Sequence, residues 1–237
     1  PGNFIEAKAN PKMSKEQIEH LKDLYGINDP IHIKYWKWIK GAIVGDFGHS
    51  FIYIKPVSEV INTFVWNSFI LAFSAFILEL LIAIPIGILS ATKQYSKTDM
   101  TFTVFALVGI SIPSFFMGLL LKKIFAVDLK IFPLANMTTP GANYTGLRYI
   151  WDVVIHLIMP CIVLAFSGVG SLMRYTRTAV LEVIKQDYIR TARSKGLSEK
   201  IVIYKHALRN ALIPIVTIIG LSLPGLFSGA IITESIF

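Results

Sequence analysis

The chain has 237 residues, of which 54% are hydrophobic and 16% charged, and its mean hydropathy of +0.59 excludes a soluble domain of ordinary composition. Its formal net charge of +8 would suit a nucleic-acid partner. However, nine of the basic side chains fall within residues 174–209, between two apolar segments, so a cytoplasmic loop explains them and no nucleic acid is expected. The single cysteine, Cys161, excludes a disulfide framework or a cysteine-based metal cluster within this chain.

A first helix is predicted near the start of the chain. Ser14 and Gln17 have the spacing of a capping box, and Met13 is placed to pack on Ile18 as a hydrophobic staple. Gly26 would end this helix, because glycine adopts the positive φ of a helix C-terminus without strain.

A second helix is predicted to start at Pro30, since proline suits the first turn of a helix. Its lysines, Lys34, Lys37 and Lys40, fall on one side, and large apolar residues such as Trp36 group on a neighbouring face. This pattern is typical of a helix at a membrane interface, and equally of an amphipathic helix packed on its own protein. Residues 1–63 are therefore predicted to form a separate segment with short amphipathic helices.

Four apolar segments follow, and each has about the 20 residues that a helix needs to cross a bilayer. They run over about residues 68–92, 102–121, 153–173 and 211–233. Every segment contains a proline, which permits a kink. The sequence predicts an all-α protein, a polytopic transmembrane helical bundle with four spanning helices.

The first apolar segment contains an ionisable residue, Glu79. A carboxyl group within a span is costly, so such residues often have a function. Glu79 either lines a translocation path or pairs with a group on a partner helix. The alternative is a neutral, hydrogen-bonded glutamate between two helices of this chain.

The distribution of lysine and arginine predicts the orientation, because cytoplasmic loops carry the positive charge. With residues 174–209 in the cytoplasm, the connection at about 92–101 is also inside, whereas residues 1–63 and about 122–152 are outside. A cytoplasmic N-terminus would then need one more spanning helix before Pro1.

Residues 187–214 form a basic stretch whose spacing predicts two short helices. Gly196 can adopt the positive φ that ends the first helix, and Ser198 can cap a second helix beginning with Glu199. Thr191 and Ala192 are small, so another surface can approach the backbone there. The stretch is either a compact docking surface beside the membrane or a solvated loop that only sets the topology.

The second short helix is expected to have an inner and an outer side. Its inner side would carry Ile201, Val202, Tyr204 and Leu208, and its outer side Lys200, Lys205 and Arg209.

Residues 188–197 and 206–214 resemble the cytoplasmic coupling loop of ABC importer permeases, and more narrowly the dipeptide/oligopeptide/nickel branch. In the broad motif Glu-Ala-Ala precedes three residues and a glycine; here Arg190 and Thr191 replace Glu and Ala, as is usual in the peptide branch. Further similar stretches are residues 45–50, 67–72, 111–118 and 173–184. The resemblance implies that the ATPase-coupling residues are Arg190, Thr191, Ala192, Lys195, Gly196, Leu197 and Ser198.

The resemblance also implies the ABC type I importer permease fold, in which this piece would hold four of six probable spanning helices. Residues 1–63 would be the external segment and 64–237 the permease domain, with the coupling loop at about 177–209. The implied location is a bacterial or archaeal cell membrane, the inner membrane where there are two.

By resemblance, the function is that of the first of two permease subunits of an ATP-driven importer, most often for di- or oligopeptides. The implied partners are a second homologous permease, two ATP-binding subunits that hold ATP and Mg, an external solute-binding protein and membrane lipid. Alternatives are an importer of nickel or another small solute, a secondary transporter without an ATPase, or a membrane anchor.

The sequence predicts no enzyme activity of its own, and no catalytic, cofactor-binding or metal-binding residue. A phosphate-binding loop would need Gly-Lys-Ser or Gly-Lys-Thr, which the sequence does not contain. Residues 168–171, with His156, are the nearest approach to a serine-protease site, but they lack the pattern of a nucleophile elbow.

Overall fold

The computed structural model describes residues 14–24, 26–50 and 52–237, and within these ranges its regular structure is helical apart from one short hairpin. The predicted all-α class is confirmed. The chain divides into two compact units, Pro1–Trp66 and Asn67–Phe237.

The first helix among the described residues of this unit is α1 (Lys15–Leu24), whose predicted capping box is confirmed. The Ser14 N–H donates to Gln17 Oε1 at 2.9 Å, and the Gln17 N–H donates to Ser14 Oγ at 3.2 Å. Gly26 ends the helix with a φ of +62°, as predicted. The predicted staple involves Met13, which lies outside the described residues.

Helix α2 (Ile31–Ile43) starts directly after Pro30, as predicted, and none of its residues is buried. Lys37 Nζ lies 2.6 Å from Asp29 Oδ2, and Lys40 Nζ lies 5.5 Å from the centre of the Trp36 ring. Within α2, Trp36 and Ile43 are 59% and 79% exposed, whereas Ile39 is half-buried. Strands β1 (His49–Ser50) and β2 (Lys55–Pro56) then form an antiparallel hairpin.

Three of the predicted spans are helices long and apolar enough to cross a membrane. Helix α3 (Val57–Thr92) has 36 residues and α6 (Gly146–Ile184) has 39. The third is a continuous 29-residue helix over Glu199–Phe227, whose main part is α9 (Leu208–Ser222), followed by a 3₁₀ turn (Leu223–Phe227).

The second apolar segment is not one straight helix. Helix α4 (Lys97–Ser111) is followed after a 96° bend by α5 (Ser114–Leu121), which continues as a π-helix (Lys122–Asp128). The cause is Pro113: its ring disfavours the helical conformation at Ile112, which has φ −81° and ψ 122°. The pair is one broken span or a re-entrant segment, so the four predicted spans are three, or four if the bent pair crosses.

The fourth apolar segment also ends earlier than predicted. The helix stops at Phe227, Gly229 has a φ of +75°, and a separate helix α10 (Ile231–Ile236) follows. Glu234 joins this helix to α3, because Ser68 Oγ donates to Glu234 Oε2 at 2.9 Å.

Close contacts at small residues hold α3 and α4 against α6. A Cβ at Gly87 would lie 2.6 Å from the Thr176 Cβ, and one at Gly170 would lie 2.6 Å from the Ala106 carbonyl oxygen. Glycine lets the helix backbones approach where any side chain would separate them. The adjoining core cluster consists of Ala83, Ala106, Leu172 and Met173.

Candidate functional site

The basic loop forms two short helices joined at a glycine, as predicted. Helix α7 (Asp187–Ser194) ends before Gly196, which has a φ of +75°, and α8 (Glu199–Ile201) begins directly after Ser198. Among the described residues, and apart from Gly196 and its two chain neighbours, no atom lies within 4 Å of the position that a Cβ on Gly196 would take. The glycine is therefore required by its backbone conformation and not by lack of space.

An ion pair braces the two helices across this turn. Arg193 Nε lies 3.1 Å from Glu199 Oε2, and Arg193 Nη2 lies 2.6 Å from Glu199 Oε1. This hydrogen bonding with Glu199 raises the pKa of the Arg193 guanidinium above its ordinary value. Ser198 occupies the N-cap position, but its side chain makes no capping hydrogen bond, so the predicted hydroxyl cap is wrong.

The inner side of the loop packs as a small apolar core. Its fully or nearly buried members are Ile189, Ala192, Val202 and Ala207. Val183 and Ile184, from the last turn of α6, pack against this group. The two-helix loop is thus seated on the end of a long apolar helix.

The predicted inner side of the second short helix was partly wrong. Val202 is buried and Leu208 half-buried, but Ile201 and Tyr204 are 43% and 59% exposed. The reason is a π-helical turn (Val202–Ala207), in which the wider spacing places residues five apart on one side. Val202 and Ala207 therefore form the inner side, which the ordinary α-helical period did not predict.

The outer side carries most of the residues singled out from the sequence. The exposed ones are Arg190, Thr191, Lys195, Gly196, Leu197 and Ser198, and we call them the outer face of the loop. Ala192 is different: it is 7% exposed and lies in the loop's own core, so its small size serves the packing of α7. The lysines and arginine at 200, 205 and 209 are exposed, as predicted.

The loop is connected to two further helices through shared packing. Val183 and Ile184 also contact a second buried cluster, formed by Ile88, Ala91, Val180 and Ala211. These four residues come from α3, α6 and α9. A hydrogen bond of 2.8 Å from Asn210 Nδ2 to Tyr188 Oη ties α7 directly to α9.

The structure contains a buried ion pair near α3 and α6 that the sequence patterns did not predict. Arg177 Nε and Nη2 donate to the two carboxylate oxygens of Asp99 at 2.8 and 2.7 Å, and the two side chains are 24% and 4% exposed. Ser90 Oγ also donates to Asp99, and the Tyr95 N–H donates to it at 2.9 Å. We call these residues the Asp99 cluster; it joins the end of α3, the start of α4 and α6.

One member of this cluster, Asp99, had a local signal in the sequence. Ser96 and Asp99 have the spacing of a capping box, and Ser96 Oγ accepts from the Asp99 N–H at 3.2 Å. The partner Arg177 is 78 residues away, so no local pattern could have paired it with Asp99.

Glu79 lies in a cleft of about 240 Å³ between α3, α6 and the segment that follows α9. Its carboxylate rests on α6 at Gly168, where a Cβ would lie only 2.3 Å from Glu79 Oε2. The rest of the cleft is lined mainly by small or apolar residues, among them Ala72, Ala75 and Gly225. Among the residues that the structure describes, Glu79 has no hydrogen-bond or ion-pair partner.

A comparison with known protein families identifies the chain. The family model described as binding-protein-dependent transport system inner membrane component matches residues 83–237. The chain belongs to this family. The matched range contains the two-helix loop and the Asp99 cluster, and Glu79 lies just before its start.

Relatives resemble this permease along its whole length. It is 41% identical to the oligopeptide transport system permease protein AppB of Bacillus subtilis, with 100% of this chain and 74% of the relative aligned. It is 37% identical to the dipeptide transport system permease protein DppB of Alkalihalophilus pseudofirmus, with 100% and 75% aligned. For the glutathione transport system permease protein GsiC of Salmonella paratyphi A the identity is 35%, with 100% and 73% aligned.

These matches confirm the ABC importer permease predicted from the loop motif, and they favour it over a secondary transporter. The permease is a multi-pass membrane protein and a subunit of a larger transport system.

Proposed function

We propose that this permease forms the translocation path of a peptide importer together with a second, homologous permease subunit. The proposal for peptides is supported by the relatives, whose names specify oligopeptides, dipeptides and glutathione. An external solute-binding protein would deliver the peptide, and two ATP-binding subunits, which hold ATP and Mg, would supply the energy.

The proposed orientation follows the positive-inside rule. Residues 92–101 and 174–209 face the cytoplasm, and residues 1–63 and about 122–152 face outward. The outer face of the loop then lies on the side where ATP is available, in the cell membrane of a bacterium or archaeon.

The observation that carries the proposal is the loop's combination of an exposed outer face with a buried inner core. Arg190, Thr191 and Lys195 are exposed where an ATP-binding subunit could contact them, whereas Ile189 and Val202 pack the loop onto α6. A force applied to the loop therefore reaches α3 and α9 through Val183 and Ile184.

Alternating access follows from this connection if the ATP-binding subunits prefer one arrangement of the helices. Binding of ATP can shift the permease only by the difference in free energy with which the ATPase contacts its two conformations. A stiff loop is needed because a flexible loop would itself change shape and would not transmit that difference in free energy to the helices. The loop core supplies most of this stiffness, and the partly exposed Arg193–Glu199 pair adds a two-point contact across the turn.

The test replaces Gly196 with valine in the complete transporter, reconstituted in proteoliposomes with its binding protein. A β-branched residue at a φ of +75° costs about 1–3 kcal/mol, so we expect about tenfold less tri-alanine uptake per ATP hydrolysed, or loss of the ATP-binding subunits on purification. Membrane insertion should not change, because the substituted residue lies in an exposed turn where an added Cβ meets open space among the described residues.

The matched control is Gly220→Val. A Cβ on Gly220 would likewise meet no described atom within 4 Å outside its own helix backbone, but Gly220 lies inside α9 with an ordinary helical backbone. This variant should keep the normal ratio of uptake to ATP hydrolysis. Normal coupling in Gly196→Val would contradict the assignment of the loop, and a wild-type complex that never takes up tri-alanine would contradict the proposed substrate class.

A further inference from the structure

Several of the residues that line the Glu79 cleft are small. Ala72 and Ala75 of α3 face Gly225 and Gly229, which belong to the segment after α9. Ala72 is half-buried and a Cβ on Gly225 would meet open space, so the small residues at these two positions leave room beside the carboxylate. The cleft of about 240 Å³ is smaller than the roughly 300–1,000 Å³ of pockets for whole drug-sized ligands, so it has room for one end of a longer molecule.

The position of the carboxylate decides which chemistry the cleft accepts. One side of Glu79 is covered by the α6 backbone at Gly168, so its remaining side is directed to the cleft. In the described part of the chain no cation or hydrogen-bond donor contacts this carboxylate. A carboxylate within an apolar helix bundle is stabilised by a cation that also donates hydrogen bonds, and an ammonium group does both.

We propose that Glu79 binds the terminal ammonium group of the transported peptide. The proposal depends on the peptide-importer function proposed above, and it adds the part of the substrate that this subunit recognises. A free α-ammonium is common to unblocked peptides of any sequence, so a single carboxylate among small residues recognises the class without selecting a side chain. Such a site also suits a path that must release its solute, because it offers few contacts.

The first experiment measures binding to the purified transporter without its binding protein. Equilibrium dialysis compares radiolabelled tri-alanine with N-acetyl-tri-alanine, which lacks the ammonium group. We expect the wild-type complex to bind tri-alanine with about a tenfold lower Kd than the acetylated peptide. Glu79→Gln, which keeps the shape but not the charge, should bind the two peptides equally and weakly. No preference in the wild type, or an unchanged preference in the variant, would overturn the proposal.

Glu59→Gln is the matched control, because Glu59 is an exposed glutamate in the first turn of the same helix. It should keep the wild-type preference. Glu79→Asp tests whether the charge suffices: it should recover part of the preference that Glu79→Gln loses. Loss of the second permease subunit from purified Glu79→Gln would instead place Glu79 in a subunit interface, and would overturn the proposal.

Uptake in proteoliposomes separates this proposal from the proposed function. In one outcome, the wild-type complex and Glu79→Gln take up tri-alanine equally well, with neither preferring it over N-acetyl-tri-alanine. That result would support the peptide-importer function and contradict the proposed role of Glu79. If the wild-type complex takes up no tri-alanine, the proposed function itself fails.

Discussion

Removal of either partner of the ion pair between Asp99 and Arg177 should strongly destabilise this permease. Removing one partner of a buried pair typically costs about 3–5 kcal/mol, because the other charge is left uncompensated. The two partners differ in exposure: the Arg177 side chain is 24% exposed and that of Asp99 only 4%. Loss of Asp99 should therefore cost about 3 kcal/mol, since Arg177 can regain water, and loss of Arg177 about 4–5 kcal/mol.

The variants are Asp99→Ala, Arg177→Met and the double variant. With both charges removed, nothing is left uncompensated, so the double variant should be less destabilised than the sum of the single variants by about 3 kcal/mol. Thermal unfolding of the intact transporter can be followed at Cys161, which is 7% exposed and becomes reactive to a maleimide only when the helices separate. Mass spectrometry of the labelled peptide separates this cysteine from those of other subunits.

At about 2–4 °C for each kcal/mol, Asp99→Ala should lower the unfolding midpoint by about 6–12 °C. The control is the pair of Lys123 and Asp128, which has the same N–O distance of 2.7 Å but side chains that are 68% and 49% exposed. Its removal should cost less than about 1 kcal/mol. Strictly additive effects of the Asp99 and Arg177 substitutions, or equal effects at the buried and exposed pairs, would refute this account.

Two smaller substitutions test the packing and the capping. Gly87→Ala should destabilise the permease by about 1–3 kcal/mol, because its Cβ would lie 2.6 Å from Thr176. The control Gly220→Ala should instead stabilise it by up to about 1 kcal/mol through helix propensity. If both variants shift the unfolding midpoint in the Cys161 assay in the same direction, the close-contact explanation is excluded. Ser14→Ala should weaken the start of α1 by about 1 kcal/mol, seen as roughly fivefold faster amide exchange at Gln17, and an unchanged rate would show that the capping box does not stabilise the helix.

The ends of the short helices were predictable because their signals are local. Ser14, Gly26 and Gly196 each act on the backbone within one helical turn, and the structure has all three where the sequence indicated. Ser198 shows the limit of such signals: the N-cap position was correct, but its hydroxyl makes no capping bond and Glu199 is engaged by Arg193.

Hydropathy predicted where the spanning helices lie in the sequence, but not whether they are straight. Apolar runs of sufficient length show which segments avoid water, but they do not show whether a run is straight. Pro113 was visible as a possible kink, and only the backbone at Ile112 shows that the chain turns by 96° there. Similarly, the π-helical turn before α9 changed the side on which Ile201 and Tyr204 lie.

The sequence by itself determined the membrane class, the family through the loop motif, and the presence of a glycine-jointed basic loop. Only the tertiary structure decided that Arg177 pairs with Asp99, that Ala192 faces the loop core, and that Glu79 faces a cleft beside Gly168. The physical reason is the separation along the chain over which each interaction acts. Caps and hydropathy depend on neighbours in the chain, whereas an ion pair across 78 residues or a cleft between three helical segments depends on how those segments pack.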